Sequence, residues 1–235
     1  MKKKLFFALF FTALIGCFCF STSKKVNYFG ESDFHAKMIS DTAWFTLRKG
    51  DILVRPNWAG LPGSCSIRNG RKYGHVAMVT EDAIGKTIEE ALSKASVIEA
   101  LFFDQSTRRF QFNKKDQIRE GKAIISFGQR FIGIRYRLRI DLTDDQTEKM
   151  IQFLRNQLDG GYDILSFKKQ FKLASERESA LKNMKNSDWH CATIIWEAFY
   201  LTANIDIDAN GGIFIYPADI IASKYFDLPG RRICF

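Results

Sequence analysis

Residues 191–201, Cys-Ala-Thr-Ile-Ile-Trp-Glu-Ala-Phe-Tyr-Leu, read as a helix that is apolar on every side except at Thr193 and Glu197. A helix with no polar face has nowhere to meet water, so it belongs in the core with other elements packed around it. The chain has the means to enclose it. Its 235 residues suit one large domain or two small ones, and 46% apolar with 26% charged residues is ordinary for a globular protein. Four prolines and sixteen glycines exclude collagen-like or low-complexity architecture, and five cysteines are too few for a disulfide scaffold.

Around that helix the periodicity predicts an α+β unit. Residues 51–55 read as a buried strand entered through the Gly50-Asp51 turn, with further strands at 75–80, 96–100, 123–126 and 134–140. A short polar helix over 87–94 joins two of them, and 56–74 is a loop rich in Gly, Pro and Asn. Arg135, Arg137 and Arg139 alternate with apolar residues, which predicts a solvated basic face on that strand. No recognised nucleic-acid motif accompanies them, so no nucleic-acid partner is expected. Thr143-Asp144-Asp145 opens a helix with Met150, Ile151, Leu154 and Leu158 on its apolar face, stopped by Gly160-Gly161. Residues 167–185 read as a basic, loosely packed stretch, and a short helix follows Pro217.

The N-terminus has a different character. Lys2, Lys3 and Lys4 precede an apolar run from Leu5 to Gly16, the layout of an export signal too short for a membrane span. Leu14-Ile15-Gly16-Cys17 resembles a bacterial lipobox, which makes Cys17 the expected lipid anchor and the cell envelope the expected location. An ordinary signal cleaved near Ser21–Ser23, or an uncleaved anchor, is the alternative. The expected organisation is a signal over 1–23, an extension over 24–47 and a catalytic domain over 48–235. The formal charge of +9 includes three signal lysines. From Lys24 onward 32 basic face 26 acidic residues, a net +6 that suits an anionic envelope.

Three residues carry candidate chemistry. Cys191 stands in the first turn of the apolar helix, with Ser187 or Asp188 as N-cap, where the helix dipole favours a thiolate. His75 opens an apolar strand after Tyr73-Gly74, and Glu99 interrupts another, Val97-Ile98-Glu99-Ala100. Singly, each has a structural alternative: an inert core cysteine, a core histidine bonded to backbone, a carboxylate on an edge strand. Together they supply the nucleophile, base and orienting acceptor of thiol catalysis. Of the other histidines, His35 precedes the core. His190 adjoins Cys191 and, about 100° away around a helix, is a poor base that can still contact substrate. Cys65, in the loop Gly63-Ser64-Cys65-Ser66, is the rival thiol but lacks a helix terminus, and it can alternatively pair with Cys234.

The ordered set Gly50-Asp51-Ile52-Leu53, Gly74-His75-Val76-Ala77-Met78-Val79, Val97-Ile98-Glu99-Ala100, Tyr162-Asp163 and Cys191-Ala192-Thr193 resembles the permuted NlpC/P60 proteins of the YaeF/YiiX type. The resemblance runs from about Lys49 to Ser223. It implies a circularly permuted papain-like fold, an antiparallel sheet packed on a buried nucleophile helix. It further implies Cys191 as nucleophile, His75 as base and Glu99 as orienting residue. The family commonly has Cys-Ser-Glu where this chain has Cys-Ala-Thr, preceded by Trp189-His190.

The expected reaction is hydrolysis of an amide through an acyl-thioester on Cys191. The expected substrate is a small peptide, a peptidoglycan fragment or an acylated amine. Tyr73, Tyr162, Trp189 and His190 are the candidate substrate contacts. No cofactor is required, and no metal-ligand spacing is present. A non-catalytic peptide- or lipid-binding lipoprotein on the same fold, or a lipid acyltransferase, are the alternatives. The Asn-Cys-Glu-His-Phe signature of the related acyltransferases is absent.

Overall fold

Alternation in the apolar runs builds a sheet with both faces covered. The computed structural model describes residues 37–40, 43–56, 65–66, 72–104, 109–110, 116–129, 133–169 and 173–235. Along the chain these form β1 (Lys37–Met38), β2 (Phe45–Leu47), β3 (Ile52–Pro56), β4 (Cys65–Ser66), β5 (Lys72–Val79), β6 (Ala83–Gly85), α1 (Ile88–Lys94) and β7 (Ser96–Ala100). The series continues with β8 (Phe103–Asp104), β9 (Arg109–Phe110), β10 (Ile118–Lys122), α2 (Ala123–Phe127), β11 (Tyr136–Leu138), α3 (Asp144–Arg155), α4 (Ala174–Asn183), α5 (Cys191–Ala203), α6 (Pro217–Ile221) and β12 (Arg232–Cys234). The signal, Cys17 and His35 lie outside the described residues, as does most of the loop 56–74.

The main sheet runs β1-β12-β11-β3-β5-β7-β10, with β4 also paired to β5. The fold is α+β, but the sheet is mixed rather than antiparallel throughout: β1 joins β12 in parallel, while the other pairings in this sheet are antiparallel. Both β1 and β2 come from the segment read as an extension, and they pair with β12 and β6. The folded unit therefore begins before residue 48.

Period-two alternation divides the core in two. Ile52, Val54, Val76, Met78 and Ile98 face α3, α5 and α6. Leu53, Ala77, Val79 and Val97 face the opposite layer with Ala91 and Leu92 of α1 and Ala123 and Phe127 of α2. As expected, α5 is enclosed, with every residue from Cys191 to Phe199 buried. Each large apolar side chain removed from water there contributes roughly 2 kcal/mol. Thr143 caps α3 in a reciprocal capping box with Gln146. Met150, Ile151, Phe153 and Leu154 form its buried face; Leu158 lies beyond the helix end and is half-buried.

Four local expectations are corrected. Residues 123–126 are helical, because β10 ends at Lys122 and the Ala123 amide bonds to the Ala95 carbonyl, turning the chain onto α1. A four-residue apolar run fits either period, and packing made the choice. Arg135 and Arg137 are buried rather than solvated, since β11 lies between β3 and β12 inside the sheet. Arg135 donates to the Phe127 carbonyl and covers the Phe235 ring; Arg137 donates to the Gly230 carbonyl at 3.0 Å. Arg139 grips Asp51 through two bonds of 2.6 Å. The stretch read as loosely packed contains α4, whose Ala180 is buried in the core that holds α5. The N-cap of α5 is His190, not Ser187 or Asp188; the Asp188 carboxylate accepts instead from the Gly161 amide.

Candidate active site

The site forms where two strands part. β5 and β7 pair at Met78–Ile98 and Val79–Val97. Further toward its N-terminus, β5 pairs with β4 at Tyr73 and Lys72. Between these two zones the Gly74 carbonyl and the Val76 amide point out of the same edge of β5, without a strand partner among the described residues. The start of α5 brings Cys191 to that gap. Its thiol donates to the Gly74 carbonyl at 3.9 Å and receives the Val76 amide. A register irregularity between β3 and β5 at Arg55/Pro56 sets Tyr73, Gly74 and His75 in place.

His75 lies between those two peptide groups, in phase with Ala77 and Val79, so its ring turns toward the α2 layer and stacks on Phe127 at 5.6 Å. Its Nε2–H donates to Glu99 Oε2 at 2.7 Å, and both side chains are 4% exposed. Glu99 Oε1 takes the Ser126 hydroxyl at 2.7 Å and two N–H groups of Arg119 at 3.2 Å. Burial opposes ionisation of Glu99, yet the bonds from His75, Arg119 and Ser126 outweigh it and hold the carboxyl well below the usual carboxylate range. Burial together with the Arg55 guanidinium pushes the His75 imidazole down to about 4, so it rests neutral with Nδ1 as its proton acceptor.

The structure joins His75 directly to Glu99 and holds Cys191 on the two peptide groups that flank His75. Among the described residues no hydrogen bond joins the Cys191 thiol to His75. Nor is the thiol acidified: with no exposed surface, burial pushes it up to about 11 despite amide bonds from Val76 and Ala192. Desolvation of a thiolate outweighs the helix terminus.

His190 departs further from expectation. The 100° separation applies between helical neighbours, but His190 is the cap, with φ −79° and ψ 149°. Its ring folds back over the helix end, Nδ1 accepts the Ala192 amide at 3.2 Å, and both ring nitrogens lie 4.0 Å from Cys191 Sγ. The Tyr162 hydroxyl donates to the same sulfur at 4.0 Å. Tyr73 and Trp189, taken as substrate contacts, are 1% exposed and are internal supports. Tyr73 packs on Tyr136 at 5.4 Å, and Trp189 donates to Gln157 at 3.0 Å. Cys65 and Cys234 sit on β4 and β12, with β5, β3 and β11 between them. Strands about 4.8 Å apart put that separation far beyond disulfide reach.

Arg119 and Ser126 were missed. Arg119 is the direct cross-strand partner of Glu99 on β10, a pairing that needs the register to be seen. Ser126 was hidden by the reading of α2 as a strand. A separate polar groove of about 500 Å³, lined by Arg48, Lys49, Asp82, Arg139 and Glu148, lies at the opposite end of β5. Among the described residues no group of three or more His, Cys, Asp or Glu side chains is arranged to hold a metal ion. Nor is any described helix long and apolar enough to cross a membrane.

No protein-family model matches the chain, and no solved structure does. Over 55 residues it is 42% identical to a protein of Bacillus subtilis (strain 168) named "Uncharacterized protein YycO". The shared stretch is 23% of this chain and spans 21% of that relative's length.

Proposed function

We propose that this chain is a thiol hydrolase of the cell envelope on a circularly permuted papain-like fold of the NlpC/P60 kind. It would cleave an amide of a peptide, peptidoglycan fragment or acylated amine. The observation that carries the reading is the buried His75–Glu99 pair at 2.7 Å, set between the two peptide groups that hold the Cys191 sulfur. A buried carboxylate bonded to one imidazole nitrogen leaves the other as base. In the proposed reaction the thiol turns from the Gly74 carbonyl and passes its proton to His75 Nδ1 as sulfur attacks the substrate carbonyl. His75 then protonates the leaving amine, and water cleaves the acyl-thioester. Cys17 would tether the enzyme to the membrane through lipid.

The second reading, a peptide- or lipid-binding protein on this fold, is favoured by the absence, among the described residues, of a hydrogen bond from the thiol to His75, and by the protonated resting thiol. Turnover of muropeptides, dipeptide amides and N-acyl amines by wild type, Cys191→Ala and Cys65→Ala separates the two. The hydrolase reading expects product from wild type and Cys65→Ala only. Equal turnover, or none, by wild type and Cys191→Ala overturns it. Labelling with radioactive palmitate, lost in Cys17→Ala, tests the anchor.

A further inference from the structure

We infer that His190 is an electrophilic catalytic residue, whose Nε2–H donates to the carbonyl oxygen of the substrate as Cys191 attacks. The inference rests on the hydrolase reading and adds a role for the residue preceding the nucleophile. The bonding of the ring fixes which nitrogen carries the proton. Nδ1 accepts the Ala192 amide at 3.2 Å, so in the neutral imidazole the hydrogen is on Nε2. That Nε2–H has no oxygen or nitrogen partner among the described residues; its neighbour is the sulfur, 4.0 Å away. A buried donor whose acceptor is a distant sulfur is weakly satisfied, and here that sulfur is the atom that reacts in the proposed chemistry. Burial, with the electrostatic effect of His75, keeps the ring neutral. Tyr162 at 5.6 Å and Tyr216 at 6.3 Å fix the plane of the ring between them.

The site needs such a group. Attack forms the carbon–sulfur bond and moves the carbonyl electron pair onto oxygen, while the thiol proton passes to His75. That oxygen sits one bond from the carbon bound to sulfur, within reach of donors flanking Sγ. The Cys191 amide is one, since the first residue of a helix has no intrahelical acceptor for its N–H. His190 Nε2–H supplies a second, and a neutral imidazole is a suitable donor because it stabilises negative charge without itself ionising. Collapse restores the carbonyl, breaks the carbon–nitrogen bond, and the amine leaves with the proton from His75.

The competing account is that His190 merely caps α5, and two substitutions cross the roles. His190→Asn keeps a strong cap, but its shorter amide stops near the position of Nδ1. His190→Gln is a poor cap whose amide N–H reaches toward the position of Nε2. Acylation of Cys191 by 4-nitrophenyl acetate is followed as the release of nitrophenolate. Alkylation by iodoacetamide, which develops no oxyanion, serves as the control, and thermal melting reports the cap. The expected result for His190→Asn is a loss of about 10²–10³ in acylation with melting and alkylation close to wild type. For His190→Gln, melting falls while acylation exceeds that of the Asn variant. Acylation at the wild-type rate in His190→Asn overturns the inference, and so does alkylation that falls in proportion. Failure of the wild type to release nitrophenolate in a Cys191-dependent manner overturns the hydrolase reading itself, and this inference with it.

Discussion

The Cys191 thiol is bonded to the Gly74 carbonyl at 3.9 Å, so the candidate nucleophile and the residue before the candidate base are already joined. His75 rests on Glu99 instead of the sulfur. The resting arrangement is thus two separate contacts on one strand, the thiol on the Gly74 carbonyl and the imidazole on the Glu99 carboxylate.

The protonated state of the thiol gives the first prediction. With Cys191 held near 11, alkylation of the native protein by iodoacetamide at pH 7 should be slower than that of free cysteine. The rate should rise about tenfold per pH unit toward pH 11. Mass spectrometry of the labelled protein measures it; fast labelling at pH 6 would contradict the buried thiol.

Glu99 accepts from both His75 and Arg119, so in the proposed reaction it would orient the imidazole while balancing the guanidinium charge. Glu99→Gln should therefore lower both thiol-dependent turnover and stability, the latter by about 2–4 kcal/mol, because it leaves a guanidinium beside a neutral amide. Urea unfolding with a paired activity assay tests this. Unchanged stability would mean that the Arg119 contact contributes nothing.

Glu197 offers a pH signature. Burial pushes its carboxyl up to about 8; Oε1 accepts the Lys169 amide at 2.7 Å, and Oε2 has no partner among the described residues. A folded-state value raised above the unfolded 4.5 means its contribution is fully present below pH 4.5 and is lost as pH rises through 8. Glu197→Gln should accordingly melt several degrees higher than wild type at pH 8 and show little difference near pH 4.5. His75 and His190, depressed when folded, act in the opposite sense, their stabilisation being lost as pH falls below 6.5 toward 4 and 3. They are common to both proteins and cancel in the difference.

Asp51 is fully buried and accepts from Arg139 twice and from the Arg48 amide at 2.8 Å. Asp51→Asn should cost about 3–5 kcal/mol in chemical denaturation, the penalty for leaving a half-buried guanidinium without its anion. A loss under 1 kcal/mol would place this pair with ordinary surface bridges.

Much of the fold was legible because its signals are local. The start of α3 at Thr143, the all-apolar α5 and the strand cores at 52–55, 75–79 and 96–100 follow from spacing and side-chain type alone, whereas β4 and the first residues of β5 lie in the stretch read as a loop. Residues 123–127 and the arginines of β11 were misread because a short apolar run fits both periods, and alternation cannot say whether a strand lies inside a sheet. The candidate thiol, imidazole and carboxylate were likewise legible as residue types, whereas Ser126 and Arg119 depend on register and on the turn into α2.

By itself the sequence determined that α5 must be buried, that Cys191 opens it, and that His75 and Glu99 sit on strands that can bring them together. Periodicity and chain order are sufficient for that, since both are properties of neighbours along the chain. Only the tertiary structure decided the state of those groups. The thiol is protonated because packing strips it of water, and His75 faces Glu99 because the phase of β5 turns it that way. His190 reaches the sulfur because it caps the helix instead of joining it. Desolvation and direction come from elements distant in sequence, and no local pattern encodes them.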